Sequence, residues 1–418
     1  MTGVAKMIDE ISSIGRDLTR GGFRRAGYST ADRELRDWFT AHANQRGLDV
    51  ERDRNGVLWA SWNPAGAAGP AIVTGSHLDS VPGGGGYDGP LGVASALAAI
   101  DILREDGRRL QRPIAIAVFP EEEGSRFGVA CLGSRLLSGA ISPERALALT
   151  DDEGDSFADV ARRDGLDPAS MGPDAAGLAR IAAFVELHVE QGRGLIDLGE
   201  PVAIASSILG HGRWRVTVDG QGNHAGTTLM ADRHDPLVAA ARMVVEIRDL
   251  ARRTDGARAT VGRLEPVPGG TNVIASQVRF WIDIRHPDDV VTASLVSQAR
   301  DIIARAAQGE GCAADVREES LSPTVDFDLG LRDALRRSLP NAPELGTGAG
   351  HDAGVLASSA PTAMLFVRNP TGISHSPEEL VEDADAEIGA VALATVLGEL
   401  ASAQSIEGTT HAQPMMAK

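Results

Sequence analysis

Lysine is almost absent from this 418-residue chain, which contains only Lys6 and Lys418, one near each end. A Schiff-base enzyme, a Walker P-loop and a lysine-bridged metal site each need a lysine inside the fold. The sequence therefore excludes these three kinds of site.

Cysteine is also scarce, since Cys131 and Cys312 are the only two. They cannot build a disulfide framework or a cysteine-rich zinc site, and we expect Cys131 to be a small buried side chain.

No apolar run approaches the ~20 residues that span a bilayer. The N-terminal segment, whose pattern predicts an amphipathic helix, lacks the apolar core of a signal peptide. The net charge of −18 disfavours nucleic acid and anionic membranes as partners. We expect a cytoplasmic protein that binds neither.

The pattern of elements predicts an α/β protein made of two domains. Buried strands alternate with helices over most of the chain, which is typical of a mostly parallel sheet with helices on both faces. The middle has the order β-α-β-β-α-β of a small α+β sandwich. We therefore expect a catalytic domain formed by 1–208 and 323–418, and an inserted lid or dimerisation domain formed by 209–322. Finer predictions are a strand at 57–62, a helix that starts with a capping box at 376–379, and a frayed tail at 402–418.

Acidic and histidine side chains follow four of the predicted strands. Open α/β sheets place their sites at the carboxyl ends of the strands. The candidates that share this position are His77, Asp79, Asp88, Glu121, Glu122, Glu123, His188, Glu190 and His375. The three histidines, with Asp and Glu, form a nitrogen and oxygen set that suits zinc, manganese, nickel or cobalt.

The number of candidates favours two metal ions over one. A single catalytic zinc needs about three protein ligands, whereas two ions that share a carboxylate can polarise a carbonyl and activate water together. Each residue also has a simpler interpretation, as a hydrogen-bonded histidine, a turn aspartate or a solvated glutamate. The recurrence of such residues after four strands favours the metal site.

The run GGGGYDG, residues 83–89, is open to a second interpretation as a phosphate-binding loop. It matches the dinucleotide fingerprint only in part, and Asp88 would lie where the phosphate should be. We interpret the glycines instead as a tight turn that brings Asp88 back beside His77.

Eight motifs in chain order carry a family resemblance. They are GSHLDSVPGGGGYDGPLGV, PEEEGSRF, ELHVEQG, GQGNHAGTT, TNVI, DIR, GAGHDA and GISHSPEE. The chain, from about residue 14 to 400, resembles the hydantoinase/carbamoylase branch of the dinuclear-metal peptidase and aminoacylase superfamily. That branch contains N-carbamoyl-L-amino-acid hydrolases, β-ureidopropionase of the yeast type and allantoate amidohydrolases.

The resemblance implies a role for each matching position. His77, Asp88 and His188 would bind one metal ion, and Asp88, Glu123 and His375 the other. Glu122 would be the general base, Glu121 a bystander, and Asp79 would accept a hydrogen bond from His77 and orient its ring. His224 would stabilise the oxyanion, in this family from the partner subunit of a homodimer. The implied substrate-binding residues are Gln191, Asn272, Arg285 and His351, with Arg285 binding the substrate carboxylate.

The resemblance also implies a reaction, the hydrolysis of a linear amide. We expect it to be the ureido group of an N-carbamoyl L-amino acid, with amino acid, ammonia and carbon dioxide as products. The alternatives are an allantoate or other ureido-acid amidohydrolase, an aminoacylase or dipeptidase, and a non-catalytic binding protein. The sequence departs from the family in two places. Leu229 replaces a usual proline, which is expected to leave the lid loop slightly freer without changing the chemistry, and Arg368 and Asn369, close to His375, are expected to alter substrate preference.

Overall fold

The computed structural model describes residues 3–403, and they divide into two compact units. One unit comprises Met1–Ser206 with Asp326–Lys418, and the other is Ser207–Val325. The second unit starts two residues before the predicted insertion, 209–322, and ends three residues after it. Within residues 3–403, no helix has the length and apolarity needed to cross a membrane. The predicted frayed tail lies outside the described residues from position 404 onward.

The helices and strands are numbered here in chain order. The strands are β1 (Asp49–Arg52), β2 (Leu58–Trp62), β3 (Ala71–His77), β4 (Ile114–Phe119), β5 (Ile181–Val189), β6 (Val202–Ile208), β7 (Gly210–Asp219), β8 (Asn223–His224), β9 (Arg258–Val267), β10 (Val273–Ile274), β11 (Gln277–His286), β12 (Ala313–Ser322), β13 (Val325–Asp326), β14 (Glu344–Thr347) and β15 (Thr362–Val367). The α-helices are α1 (Val4–Glu10), α2 (Thr30–Gln45), α3 (Pro90–Asp106), α4 (Leu132–Ser138), α5 (Pro143–Leu147), α6 (Phe157–Arg163), α7 (Ala175–Leu178), α8 (Gly194–Leu198), α9 (Pro236–Arg252), α10 (Asp289–Gly309), α11 (Leu329–Ser338), α12 (Asp352–Leu356) and α13 (Asp383–Ser402).

The larger sheet has nine strands in the order β1-β2-β4-β3-β5-β15-β6-β13, with β14 paired to β6. Its centre, β4-β3-β5-β15, is parallel, while β1, β2 and β6 pair antiparallel with their neighbours. This arrangement confirms the predicted α/β class. The carboxyl ends of the four parallel strands lie along one edge of the sheet, where the polar motifs follow.

Apolar runs explain why the centre of this sheet is buried. Strands β4 and β15 are buried along their whole length, as expected of parallel strands covered by helices. Helix α3 starts with proline, ends at the left-handed Gly107 and packs with α1, α2 and α13 in the main core. Helices α4, α5 and α6 form a further apolar cluster.

The smaller unit contains an antiparallel sheet in the order β12-β7-β11-β9. Strand β11 alternates between buried and partly exposed residues, the pattern of a sheet with one face covered. Helices α9 and α10 supply the apolar residues that pack against that sheet. The short strands β8 and β10 form a separate antiparallel ribbon.

Of two local predictions, one is confirmed and one is wrong. The predicted strand at 57–62 is present as β2, but it pairs with a strand, β1, that the sequence pattern did not indicate. The predicted helix start at 376–379 is wrong, because the next helix after it, α13, starts only at Asp383. The Glu379 carboxylate does not cap a helix; it accepts hydrogen bonds from the distant backbone N–H groups of Tyr87 and Asp88.

Candidate metal centre

The carboxyl ends of the parallel strands and the loops after them bring three groups of ligand-type side chains together. Two of them share Asp88: the first is His77, Asp88 and His188, and the second is Asp88, Glu123 and His375, while the third is Glu186, His188 and His351. In each group, one ligand atom per residue lies within 4.8 Å of the others. The structure thus assembles the five predicted ligand residues around a shared Asp88.

The first group is completely enclosed. The Asp88 Oδ1 atom lies 3.4 Å from His77 Nε2 and 3.2 Å from His188 Nε2. The two Nε2 atoms are 3.5 Å apart. All three side chains are at least 95% buried.

The hydrogen bonds of the two histidine rings determine which ring atoms carry protons. His77 Nδ1 lies 3.1 Å from the carbonyl oxygen of Asp79, and His188 Nδ1 lies 2.9 Å from that of Val189. A carbonyl only accepts, so each Nδ1 is the donor, and each ring would present its Nε2 lone pair beside Asp88 once a metal ion displaces the Nε2 proton. Three acceptor atoms then face one another in a buried space, an arrangement that a divalent cation satisfies.

The second group is more open. His375 Nε2 lies 3.6 Å from Asp88 Oδ2 and 3.5 Å from Glu123 Oε2, and the His375 side chain is 51% exposed. The backbone of His375 is left-handed, with φ 57°, a strained conformation that is common at functional sites in non-glycine residues. Burial and the neighbouring carboxylates Asp88 and Glu122 raise the pKa of Glu123 well above its ordinary value. A cation here would relieve that crowding of negative charge.

Asp79 acts differently from the expected acceptor for His77. Its carboxylate accepts the backbone N–H groups of Glu122, at 3.1 Å, and Glu123, at 3.0 Å, and the nearer oxygen is 3.7 Å from His77 Nδ1. The ring of His77 is hydrogen-bonded by the Asp79 carbonyl instead. The Asp79 side chain therefore holds the glutamate loop in place.

The three successive glutamates are not solvated. Glu121 is fully buried, has φ 54°, and accepts the backbone N–H groups of Arg126 and Phe127. Glu121 therefore shapes the loop, and burial raises its pKa to about 8.

Glu122, the predicted general base, lies beside the first ligand group. Its Oε2 atom is 3.7 Å from His77 Nε2, and its Oε1 atom accepts a hydrogen bond of 3.2 Å from the thiol of Cys131. Burial raises the pKa of Glu122 to about 7, against the opposing effect of His77. Cys131 is buried, as predicted, but its contact with Glu122 was not anticipated.

Two predicted substrate-binding residues of the larger unit lie beside the ligand groups. Gln191 Nε2 donates to Asp88 Oδ2 at 2.8 Å and lies 3.3 Å from His375 Nε2. His351 is buried with its ring centroid 4.4 Å from that of His188. Within the described part of the chain, Gln191 Oε1 and His351 Nε2 are buried without a hydrogen-bond partner. Glu190 is not a ligand candidate here, because its carboxylate accepts the first N–H groups of α8.

The other predicted residues belong to the smaller unit. His224 is exposed on β8, opposite Val273 of β10, and the Asn272 carbonyl accepts the backbone N–H of Ala225. Arg285 Nε donates to Asp283 at 2.7 Å, and its Nη2 donates to the same carboxylate at 3.0 Å. The alternative interpretation of Arg285, a salt bridge on its strand, is thus present in the structure.

One of the two departures from the family pattern, Arg368 with Asn369, has a structural explanation. Arg368 makes a two-point ion pair with the buried Asp385 of α13, and the Asn369 side chain hydrogen-bonds Thr371 and Ile373 within its own loop. These contacts give both residues a structural role, which is an alternative to the expected effect on substrate preference. Leu229 is 70% exposed, and nothing in the structure explains its replacement of proline.

Glu379 and Ser374 are site residues that sequence reasoning missed. Glu379 is 95% buried, and burial together with Asp88 raises its pKa to about 7. Its Oε1 atom lies 3.1 Å from the backbone nitrogen of Tyr87 and 3.0 Å from that of Asp88, and Ser374 Oγ donates to its Oε2 atom at 3.1 Å. The SPEE motif was the only sequence feature that drew attention to Glu379, and the same motif also fits a helix capping box.

Comparison with known proteins agrees with this geometry. The model of Peptidase family M20/M25/M40 matches residues 73–399, so the chain belongs to this family. The chain is 35% identical over 407 residues to an N-carbamoyl-L-amino acid amidohydrolase of Geobacillus stearothermophilus, covering 94% of this chain and 97% of the relative. It is 33% identical over 398 residues to an allantoate amidohydrolase of Escherichia coli (strain K12), covering 94% and 96%.

The solved structures lead to the same branch of the family. An amidase of the hydantoinase/carbamoylase family from Burkholderia vietnamiensis superposes with a TM-score of 0.85 at 31% identity, covering 96% of this chain and 97% of that one. The predicted resemblance is confirmed.

Proposed function

We propose that this chain is a dinuclear metal-dependent amidohydrolase that cleaves the ureido group of an N-carbamoyl L-amino acid. One observation carries the proposal: the Nε2 atoms of His77 and His188 and a carboxylate oxygen of Asp88 converge on one buried point. The amidohydrolase names of its relatives support a ureido acid as the substrate. Allantoate is the second candidate, because relatives named for it are about as similar as those named for N-carbamoyl amino acids.

The donor set fits two ions that share Asp88. His77 and His188 complete the more buried position, and Glu123 and His375 the more open one. When bound, two divalent ions would polarise the ureido carbonyl and lower the pKa of the attacking water. Zinc, manganese, nickel and cobalt all suit these nitrogen and oxygen ligands.

Glu122 performs the proton transfers in this mechanism. Its buried carboxylate takes a proton from water as the oxygen attacks the ureido carbon, and it returns the proton to the leaving nitrogen. In the metal-free chain, burial raises the pKa of Glu122, and a raised pKa favours a carboxylate that holds a proton between the two transfers. The Cys131 thiol bonds the Oε1 atom, so the Oε2 atom, on the His77 side, is the one placed for transfer.

The remaining parts of the proposal concern binding. Gln191, His351, Asn272 and Arg285 would contact the substrate, with Arg285 on its carboxylate, and His224 would stabilise the oxyanion. The protein would act as a homodimer. These roles come from the family resemblance.

A substrate panel tests the proposal. Ammonia release is measured with N-carbamoyl L-amino acids, allantoate, N-acyl amino acids and dipeptides, each with added Mn²⁺, Zn²⁺, Ni²⁺ or Co²⁺. We expect the highest kcat/KM for an N-carbamoyl L-amino acid. Preference for allantoate would select the second candidate, and turnover of N-acyl amino acids or peptides alone would favour an aminoacylase or dipeptidase. Binding of a ureido acid without turnover under any metal would indicate a non-catalytic protein.

A further inference from the structure

The Glu379 side chain joins the two loops that carry Asp88 and His375. Its Oε1 atom accepts the N–H groups of Tyr87 and Asp88, whereas its Oε2 atom accepts the hydroxyl of Ser374, the residue before His375. The carboxylate therefore makes three hydrogen bonds to groups that lie next to, or belong to, candidate ligands of the more open metal position.

Ser374 extends this connection to the shared ligand. Its Oγ atom lies 3.3 Å from Asp88 Oδ2 and 3.2 Å from Gln191 Nε2. The amide of Gln191 is a donor, so the hydroxyl accepts from Gln191 and has one proton to give to Glu379 or Asp88. Removal of Glu379 would leave two buried N–H groups without their acceptor and would free Ser374 from this contact.

Gly85 provides the space that Glu379 occupies. A Cβ atom on Gly85 would lie 2.2 Å from Glu379 Oε1 and 2.5 Å from the Glu379 Cβ. The second distance involves the root of the side chain, so a rotation of the carboxylate alone cannot relieve the clash. The backbone of Gly85 is not left-handed, so its lack of a side chain matters here for space, in addition to the tight turn inferred from the sequence.

We propose that Glu379 is a positioning residue that fixes Asp88 and His375 for the more open metal position. We propose also that position 85 requires glycine, because any side chain there would clash with Glu379. This inference rests on the dinuclear site of the proposed function. The physical reason is that second-layer hydrogen bonds orient metal ligands, and their loss typically weakens metal affinity by about 10–100-fold.

Metal binding tests the inference without reference to catalysis. Isothermal titration with Mn²⁺ and with Zn²⁺, and elemental analysis after gel filtration, are applied to the wild type, E379A, E379Q, G85A and the double variant G85A/E379A. E378A is the matched control, because the neighbouring Glu378 is exposed and bonds only Ser376 among the described residues. Circular dichroism and thermal unfolding check that each variant folds.

E379A and G85A are each expected to weaken the weaker metal site by about 10–100-fold, with the stronger site retained. The double variant should be no weaker than E379A, because both changes remove the same contact. E379Q should stay closer to the wild type, since its amide oxygen can accept both N–H groups, and E378A should match the wild type.

Wild-type affinity in E379A, or multiplying losses in the double variant, would overturn the inference. If E379A does not fold, E379Q and G85A still test the inference. Wild-type metal affinity in G85A would contradict the role of Gly85. Equal losses of metal affinity in E379Q and G85A would contradict the expectation that the neutral glutamine keeps the two backbone hydrogen bonds. A wild type that binds two ions but hydrolyses no ureido acid would refute the proposed function and leave the positioning role intact.

Discussion

Replacement of Glu122 by glutamine separates proton transfer from metal binding. The Glu122 carboxylate belongs to none of the three ligand groups, so Glu122→Gln should leave the metal content unchanged. A glutamine has one oxygen, and the Cys131 thiol, 3.2 Å from Oε1, favours that oxygen at the Oε1 position. The amide NH₂ then lies on the His77 side, where a proton acceptor is needed.

The expected fall in kcat follows from the loss of the general base. General-base catalysis contributes about 10²–10⁴-fold, and the thiol contact opposes the flip that would return an oxygen to the reactive position. We expect kcat to fall by about 10³-fold, or ~4 kcal/mol in activation free energy, with a small change in KM.

Initial rates of ammonia release, together with elemental analysis of the same preparation, measure this prediction. Glu378→Gln on the exposed neighbour of Glu379 is the control and should behave as the wild type. A Glu122→Gln enzyme with full metal content and a kcat within tenfold of the wild type would refute the assignment of Glu122 as the base.

Three further predictions concern metal content, stability and pH. His375→Ala should lose about one of the two metal ions per chain proposed here, and retention of both in elemental analysis would show that His375 is not a ligand. Arg368→Ala should lower the free energy of unfolding by about 1–3 kcal/mol, because the buried Asp385 loses its ion-pair partner, while the KM of the substrate stays within about twofold of the wild type; a large KM change with unchanged stability in urea would restore a role in specificity. The metal-free protein should lose stability as pH rises from about 5 to 9 in thermal unfolding. Burial raises the pKa of Glu121 to about 8. For His188, burial lowers the pKa, but the attraction of Asp88 outweighs this effect and raises the pKa to about 9. The folded state therefore holds more protons than the unfolded state in this pH range. The metal-loaded protein should show a smaller loss, because a bound ion replaces the proton of His188 but not that of Glu121, which is not a candidate ligand. A metal-free protein whose melting temperature rises with pH would contradict this reasoning.

The position of the candidate metal site could be predicted from the sequence, because the ends of neighbouring parallel strands lie together. Buried apolar runs identified β3, β4, β5 and β15, and the polar residues that follow parallel strands must lie at one edge of the sheet. His77, Glu123, His188 and His375 were therefore expected close together before any coordinates were considered. Asp88 was a candidate as well, through the glycine turn that follows β3, and the family motifs assigned it as the shared ligand.

The individual roles of adjacent residues were not accessible in the same way. Composition and periodicity could not separate Glu121, Glu122 and Glu123, whose expected roles came from the family motifs. In the structure they contact, in that order, backbone N–H groups, the Cys131 thiol and His375. Arg368 illustrates the same limit, because its partner Asp385 lies on a separate helix.

The sequence by itself determined the class of fold, the family and the set of ligand-type residues, since these depend on local periodicity and on short motifs. Only the tertiary structure decided what the glycines and the SPEE motif do. A capping box and a long-range carboxylate acceptor have the same local sequence, and the choice depends on which backbone N–H groups come within reach. Here the donors on Tyr87 and Asp88 lie about 290 residues away in the chain, and the space at Gly85 lets Glu379 reach them.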